Sequence, residues 1–175
     1  MAAVYSFTMN THPPFQTIMP HNPEIYRLLS QHYVSLPHCI ALGLRYEDID
    51  AGRSVLSIAW QPQLVGRHDR QTVHGGVITT LIDVASGCAV AARLEKAEII
   101  ATLDMRIDYM HPAERNRRIY SRAECYRLAG QVAFVRSICY QDHPDEPIAL
   151  GTATFMRTPV PAAEQAKLHA LLSQS

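Results

Sequence analysis

From His74 to Arg93 apolar residues fall on nearly every side of a helical projection, with Val77, Ile78, Leu81, Ile82, Val84, Ala85, Cys88, Ala89 and Ala92 leaving no broad polar face. This predicts a helix buried nearly all round rather than an amphipathic surface helix. The small residues Ala85, Ser86, Gly87 and Ala89 let another backbone approach it closely. After Glu98 the period changes to two. Ala101, Leu103, Met105, Ile107 and Tyr109 alternate with Thr102, Asp104, Arg106 and Asp108, the pattern of a strand facing two environments.

Three further strands are read at Arg118–Leu128, Gln131–Tyr140 and Pro147–Met156, joined by an Ala129-Gly130 turn and the polar loop from Asp142 to Glu146. Upstream, Ala41–Asp50 and Ser54–Gln61 alternate around Ala51-Gly52 and predict a hairpin, after which Gln61 to Val73 turns polar. Asn22 suits a helix cap with Pro23 at the first helical position, and Ile25, Leu28, Leu29, His32 and Tyr33 repeat at helical spacing until Pro37 stops them. Thr11 to Pro20, with three prolines, reads as a surface arm, and Pro161 to Leu172 as a short terminal helix. The fold class is α+β, consecutive antiparallel strands wrapped around one apolar helix. We divide the chain into an arm and helix over 1–40, a domain over 41–158 and a tail over 159–175.

The chain's 175 residues, 47% of them apolar, suffice for a real core. Lys plus Arg equals Asp plus Glu at 16 each, so no global field draws the protein to nucleic acid or an anionic membrane. An anionic ligand must be held locally, and Arg, which supplies all the basic residues except Lys96 and Lys167, suits phosphate or carboxylate. No run reads as a spanning helix of ~18 apolar residues and the N-terminus lacks a signal pattern, so the expected location is cytoplasmic, with no membrane partner. Cys39, Cys88, Cys125 and Cys139 sit in apolar periodic segments without CxxC spacing and are expected to be reduced core residues. Cys88 has neither a base nor a positive neighbour in sequence to make it a nucleophile. The nine histidines form no HxxxH pair, so neither metal nor cofactor is expected.

His74-Gly75-Gly76, then Leu81 and Asp83, followed by TLDMRIDYMHPA from Thr102 to Ala113, resemble the PaaI-like branch of the hotdog-fold thioesterases over about residues 40 to 157. The pairing of HGG-x6-D with a downstream T-x-D-x-x-x-D-Y-x-x-P carries the resemblance. It implies a homodimer, often paired into a tetramer, that hydrolyses acyl-CoA thioesters at the subunit interface.

A thioester carbonyl under attack develops negative charge on oxygen, and the free N–H groups opening a helix are donors for such charge. The Gly75 N–H is the candidate oxyanion donor, beside a Gly76 that leaves room for the acyl group; the alternative is that both glycines only make a tight junction. Asp83 is the sole acidic residue between Gln71 and Arg93, and its neighbours demand burial. Its chemical role would be nucleophile forming an anhydride, or general base activating water; the alternative is a solvated carboxylate on an exposed stripe. Gly75 and Asp83 lie ~12 Å apart along one helix, so one chain cannot bring both to one carbonyl. Two such helices antiparallel across a two-fold axis would form two sites.

Thr102 aligns with the family's Ser/Thr that orients the water or the carboxylate. His74 is read as fixing the turn by hydrogen-bonding loop backbone. Where many relatives carry Asn, six residues before His74, this chain carries His68, which can substitute as a donor or titrate near neutrality; the alternative is that it marks a changed substrate or a weakened enzyme. Coenzyme A brings phosphates, for which Arg115, Arg117 and Arg118 are candidates; the turn residue Gln131 replaces a basic residue common in relatives. A non-catalytic acyl-thioester-binding module is the competing function, and a hotdog hydratase a weaker third.

Overall fold

The computed structural model describes residues 20, 22–161 and 164. The arm read over Thr11 to Pro20 and the terminal helix read from Pro161 to Leu172 lie almost wholly outside the described residues. Helix α1 spans Pro23–Ser35, and the Asn22 carbonyl before it accepts the Tyr26 N–H at 3.0 Å. Pro37 ends that helix but opens another, α2, Pro37–Leu42, entered from an extended Leu36 and closed by left-handed Gly43 at φ 69°. A proline at the first helical position gives up an N–H that the helix start could not use, so the predicted stop also serves as a start. The strand expected from Ala41 therefore begins later.

Strands β1, Leu44–Asp50, and β2, Arg53–Ile58, form the expected hairpin, with Gly52 at φ 76° in its turn. The polar stretch that follows holds more structure than its composition predicts. A 3-10 turn at Pro62–Leu64 leads into β3, Val65–Arg67, which pairs with β4, Thr72–Val73, as a small two-stranded sheet. Next come α3, Gly75–Arg93, and strands β5, Glu98–Tyr109, β6, Ile119–Ala129, β7, Val132–Tyr140, and β8, Ala149–Pro159.

The six long strands form one antiparallel sheet in the order β1-β2-β6-β7-β8-β5, so β5 lies at an edge and pairs with β8 alone. One-residue bulges in β1, β5 and β6 add local twist, and the sheet curls around α3. Leu81, Ile82, Ala85, Cys88 and Val90 of α3 pack without solvent exposure into a core shared with Leu56, Ile58, Ile119, Ala123 and Val135. Contrary to the expectation that no run could span a membrane, α3 is long and apolar enough to do so; its place is inside the sheet, with α1 packed on it. This is the hotdog architecture that the resemblance implies.

Two departures bear on the site. The second half of α3, Ala85–Ala92, is buried throughout, but Gly75, Thr79 and Asp83, four residues apart on one stripe, are only half-buried. The bulge in β5 falls between Thr102 and Asp104 and leaves Leu103 as the extra residue. It inverts the expected alternation before the bulge and leaves it unchanged after it. Ile100 packs with Met105 and Ile107 against the core, whereas Ala101 and Leu103 are exposed, so Thr102 is turned toward α3.

Candidate active site

Three hydrogen bonds fix the start of α3. His74 is its N-cap in an extended conformation, φ −64° and ψ 135°, and its Nδ1 accepts the Gly76 N–H at 2.9 Å. The Val77 N–H donates to the His74 carbonyl at 3.0 Å, and the His74 N–H to the Leu64 carbonyl at 2.8 Å. His74 thus meets the helix start through its ring and its carbonyl, and Leu64 through its N–H. Glycine at 76 has a steric reason as well, since a Cβ there would lie 2.9 Å from His74 Nδ1. Among the described residues the Gly75 N–H donates to no acceptor, which leaves it available to a ligand.

Two turns along the same stripe, Asp83 accepts the Thr102 hydroxyl at 2.8 Å on Oδ1. Thr102 is the one hydrogen-bond partner of Asp83 among the described residues. Burial pushes the phenol of Tyr33, on α1, up to about 12, with electrostatic effects of Cys88 and Asp83 adding to the shift. The four cysteines are free and buried, and burial pushes Cys88 up to about 12 against the opposing effect of its 2.6 Å hydrogen bond with Tyr46. A thiol held protonated is no nucleophile. Asp83 is the one acidic side chain on α3, half-buried beside Thr102.

A cavity of 340 Å³ opens at the helix start, lined by Val73, Gly75, Ile78 and the run from Tyr109 to Ala113. Tyr109, a motif residue with no role in the expected site, donates its hydroxyl to the Gly75 carbonyl at 3.0 Å, and its oxygen stands 2.8 Å from that of Thr79. Its fixed position seven residues after Thr102 was the available signal.

His68 lies exposed on the turn between β3 and β4, where its carbonyl accepts the Gln71 side chain at 2.9 Å, and it makes no hydrogen bond to Asp83 among the described residues. That hairpin is pinned to the helix start, because a Cβ on Gly66 would meet His74 Cα at 2.8 Å. His68 and Gly75 thus lie at the same corner of the fold. Of the three candidate phosphate ligands, Arg117 is held between Glu114 and Asp142, and Arg118 reaches Ser57 at 2.8 Å and Glu47 at 3.5 Å. Arg115 stands exposed. Among the described residues no three His, Cys, Asp or Glu side chains converge as a metal site requires.

Residues 70–148 match the thioesterase superfamily. The medium/long-chain acyl-CoA thioesterase YigI of Escherichia coli K12 is 31% identical over 149 residues, covering 76% of this chain and 94% of its own. The chain belongs to the thioesterase superfamily. It is by family a thioester hydrolase. A Pseudomonas aeruginosa protein of known crystal structure is 42% identical, with a TM-score of 0.69 over 78% of this chain and 100% of its own. The Escherichia coli PaaI protein of the phenylacetic acid degradation operon, at 17% identity and a TM-score of 0.69, covers 81% of this chain and 99% of its own. PaaI shares the fold.

Proposed function

We propose that this thioesterase hydrolyses acyl-CoA to free acid and coenzyme A in sites that each draw on two protomers of a homodimer, alone or paired into a tetramer. The Gly75 N–H of one protomer receives the carbonyl oxygen, and Asp83 of the other serves the carbonyl carbon. Asp83 either attacks it, expelling the CoA thiolate and leaving an anhydride for water to cleave, or takes a proton from the attacking water. Thr102 orients the carboxylate by its hydrogen bond, and His68 stands on the Gly75 side. The observation that carries the proposal is the half-buried stripe Gly75–Thr79–Asp83, which holds both reacting groups ~12 Å apart on one helix and so calls for a second chain.

The unpaired edge of β5, twelve residues long, supports a dimer, because a long exposed edge invites another strand or a cover. Ile99, Leu103, Tyr109, Met110 and Leu150 add exposed apolar surface there and on neighbouring β8. The name of the Escherichia coli relative supports acyl-CoA as substrate. Exposed Arg115 is the readiest phosphate contact, whereas Arg117 and Arg118 would exchange acidic partners to serve. Free, buried cysteines fit a cytoplasmic enzyme.

The test offers purified protein a series of short, medium, long-chain and aryl acyl-CoAs with free thiol as readout, beside Asp83→Asn and Asp83→Ala. Turnover abolished at Asp83 is the expected result. Binding of acyl-CoA without turnover by the unaltered protein would instead establish a non-catalytic binding module, and a fully active monomer would remove the two-chain site.

A further inference from the structure

The helix start that offers the Gly75 N–H is built from two successive glycines, each conformationally looser than alanine by roughly 0.5–1 kcal/mol. A donor useful to a transition state has to be fixed before the reaction, since its value comes from not needing to reorganise. Something outside the glycines must hold them.

The Gly75–Gly76 peptide is gripped at both ends. Its N–H, on Gly76, is bound by His74 Nδ1 at 2.9 Å. Its C=O, on Gly75, accepts the Tyr109 hydroxyl at 3.0 Å and the Thr79 hydroxyl at 3.2 Å, and the two hydroxyls are themselves 2.8 Å apart. The Tyr109 ring also crowds Gly75, because a Cβ there would lie 3.3 Å from the hydroxyl oxygen and 3.4 Å from Cζ. The His74 clamp comes from the same turn of chain. The Tyr109 clamp comes from the far end of β5, across the mouth of the cavity.

We propose that Tyr109 is a positioning residue for the thioesterase reaction, its hydroxyl fixing the Gly75–Gly76 peptide and so anchoring the Gly75 Cα, on whose other side the Gly75 N–H of the preceding peptide, with the His74 carbonyl tied to the Val77 N–H, points outward. This rests on the reading of that N–H as the oxyanion donor. It gives β5 two tasks, with Thr102 steadying the carboxylate of one site and Tyr109 steadying the donor of the other, since Gly75 and Asp83 of one chain serve different substrates. The bulge at Leu103 allows both, because it puts Thr102 and Tyr109, seven residues apart, on the same helix-facing side of the strand.

Tyr109→Phe removes the hydroxyl and keeps the ring. In the full-length protein it should lower kcat on an acyl-CoA series about tenfold to a hundredfold, the range that small misplacements cost, while KM stays close to the parent value. Amide exchange at Gly76, followed by mass spectrometry or NMR, should quicken without a change in melting temperature or assembly. Asp83→Asn runs beside it. Loss of turnover in Asp83→Asn with undiminished kcat in Tyr109→Phe overturns the positioning role alone, whereas full turnover in both overturns the underlying reading of the site. A fall in kcat with unchanged Gly76 exchange also counts against the proposal. If Tyr109→Phe fails to fold, Thr79→Val removes the other hydroxyl on the same carbonyl and carries the same expectations.

Discussion

Replacing Gly75 with proline removes one hydrogen-bond donor while respecting the local backbone. Gly75 is the first residue of α3, where proline is favoured because its missing N–H costs the helix nothing. His74, at φ −64° and ψ 135°, already occupies the extended region that a residue before proline requires. The nearest obstacle is Tyr109, whose hydroxyl would stand 3.3 Å from the new Cβ and would have to give by a few tenths of an ångström. That strain is opposed by the reduced entropy of the unfolded chain, worth about 0.4–1 kcal/mol, so the melting temperature should move by no more than roughly 4 °C. Catalysis should respond quite differently. Losing one oxyanion donor costs about a hundredfold to a thousandfold in kcat, or about 2.7–4 kcal/mol. The assay follows free thiol from acyl-CoA, with Gly75→Ala as the companion that keeps the N–H and adds only the Cβ; it should lose far less. A folded Gly75→Pro enzyme as fast as its parent would refute the assignment of the donor.

Two further expectations concern the carboxylate and the core. Thr102→Val keeps a β-branched shape but deletes the 2.8 Å hydrogen bond to Asp83; a hydrogen bond to a charged group is worth about 1.5–3 kcal/mol, so kcat/KM should fall about tenfold to a hundredfold, and an unchanged value would remove Thr102 from the site. Burial pushes the Cys88 and Cys139 thiols up to about 12 and that of Cys125 up to about 11. The folded state therefore binds these protons more tightly than the unfolded chain, whose thiols titrate near ~8.5. Their stabilisation is complete below that pH and is lost as pH rises toward the folded values, by about 1.4 kcal/mol per unit for each thiol. Urea midpoints measured from pH 8 to 10.5 should decline, and less steeply in Cys139→Ala; parallel slopes would contradict this.

The candidate site was legible because its residues are local. An Asp inside an apolar helix and two glycines at that helix's start are visible in ten consecutive residues, and the geometry of one helix then separates them. What depends on pairing was not legible. No periodicity announces the bulge at Leu103, which arises from the register between β5 and β8 and reverses the face on which Ala101 was expected. Pro37 carries the same composition signal whether it stops a helix or starts one, and only the left-handed closure at Gly43 makes α2 possible. Arg117 and Arg118 look available as a cluster in sequence, yet their acidic partners Asp142 and Glu47 come from other segments. Tyr109 went without a role for the same reason, since its partner Gly75 is 34 residues away.

If the donor and the carboxylate of each site belong to different chains, subunit complementation must restore activity. Asp83→Asn and Gly75→Pro homodimers should each be nearly inactive. Co-expressed or refolded together, half the dimers would be mixed, and each mixed dimer would carry one intact site and one doubly defective site, so activity per chain should return to about a quarter of the parent value. Activity in the mixture no higher than the sum of the two separate variants, with mixed dimers demonstrated by mass spectrometry, would contradict the two-chain site.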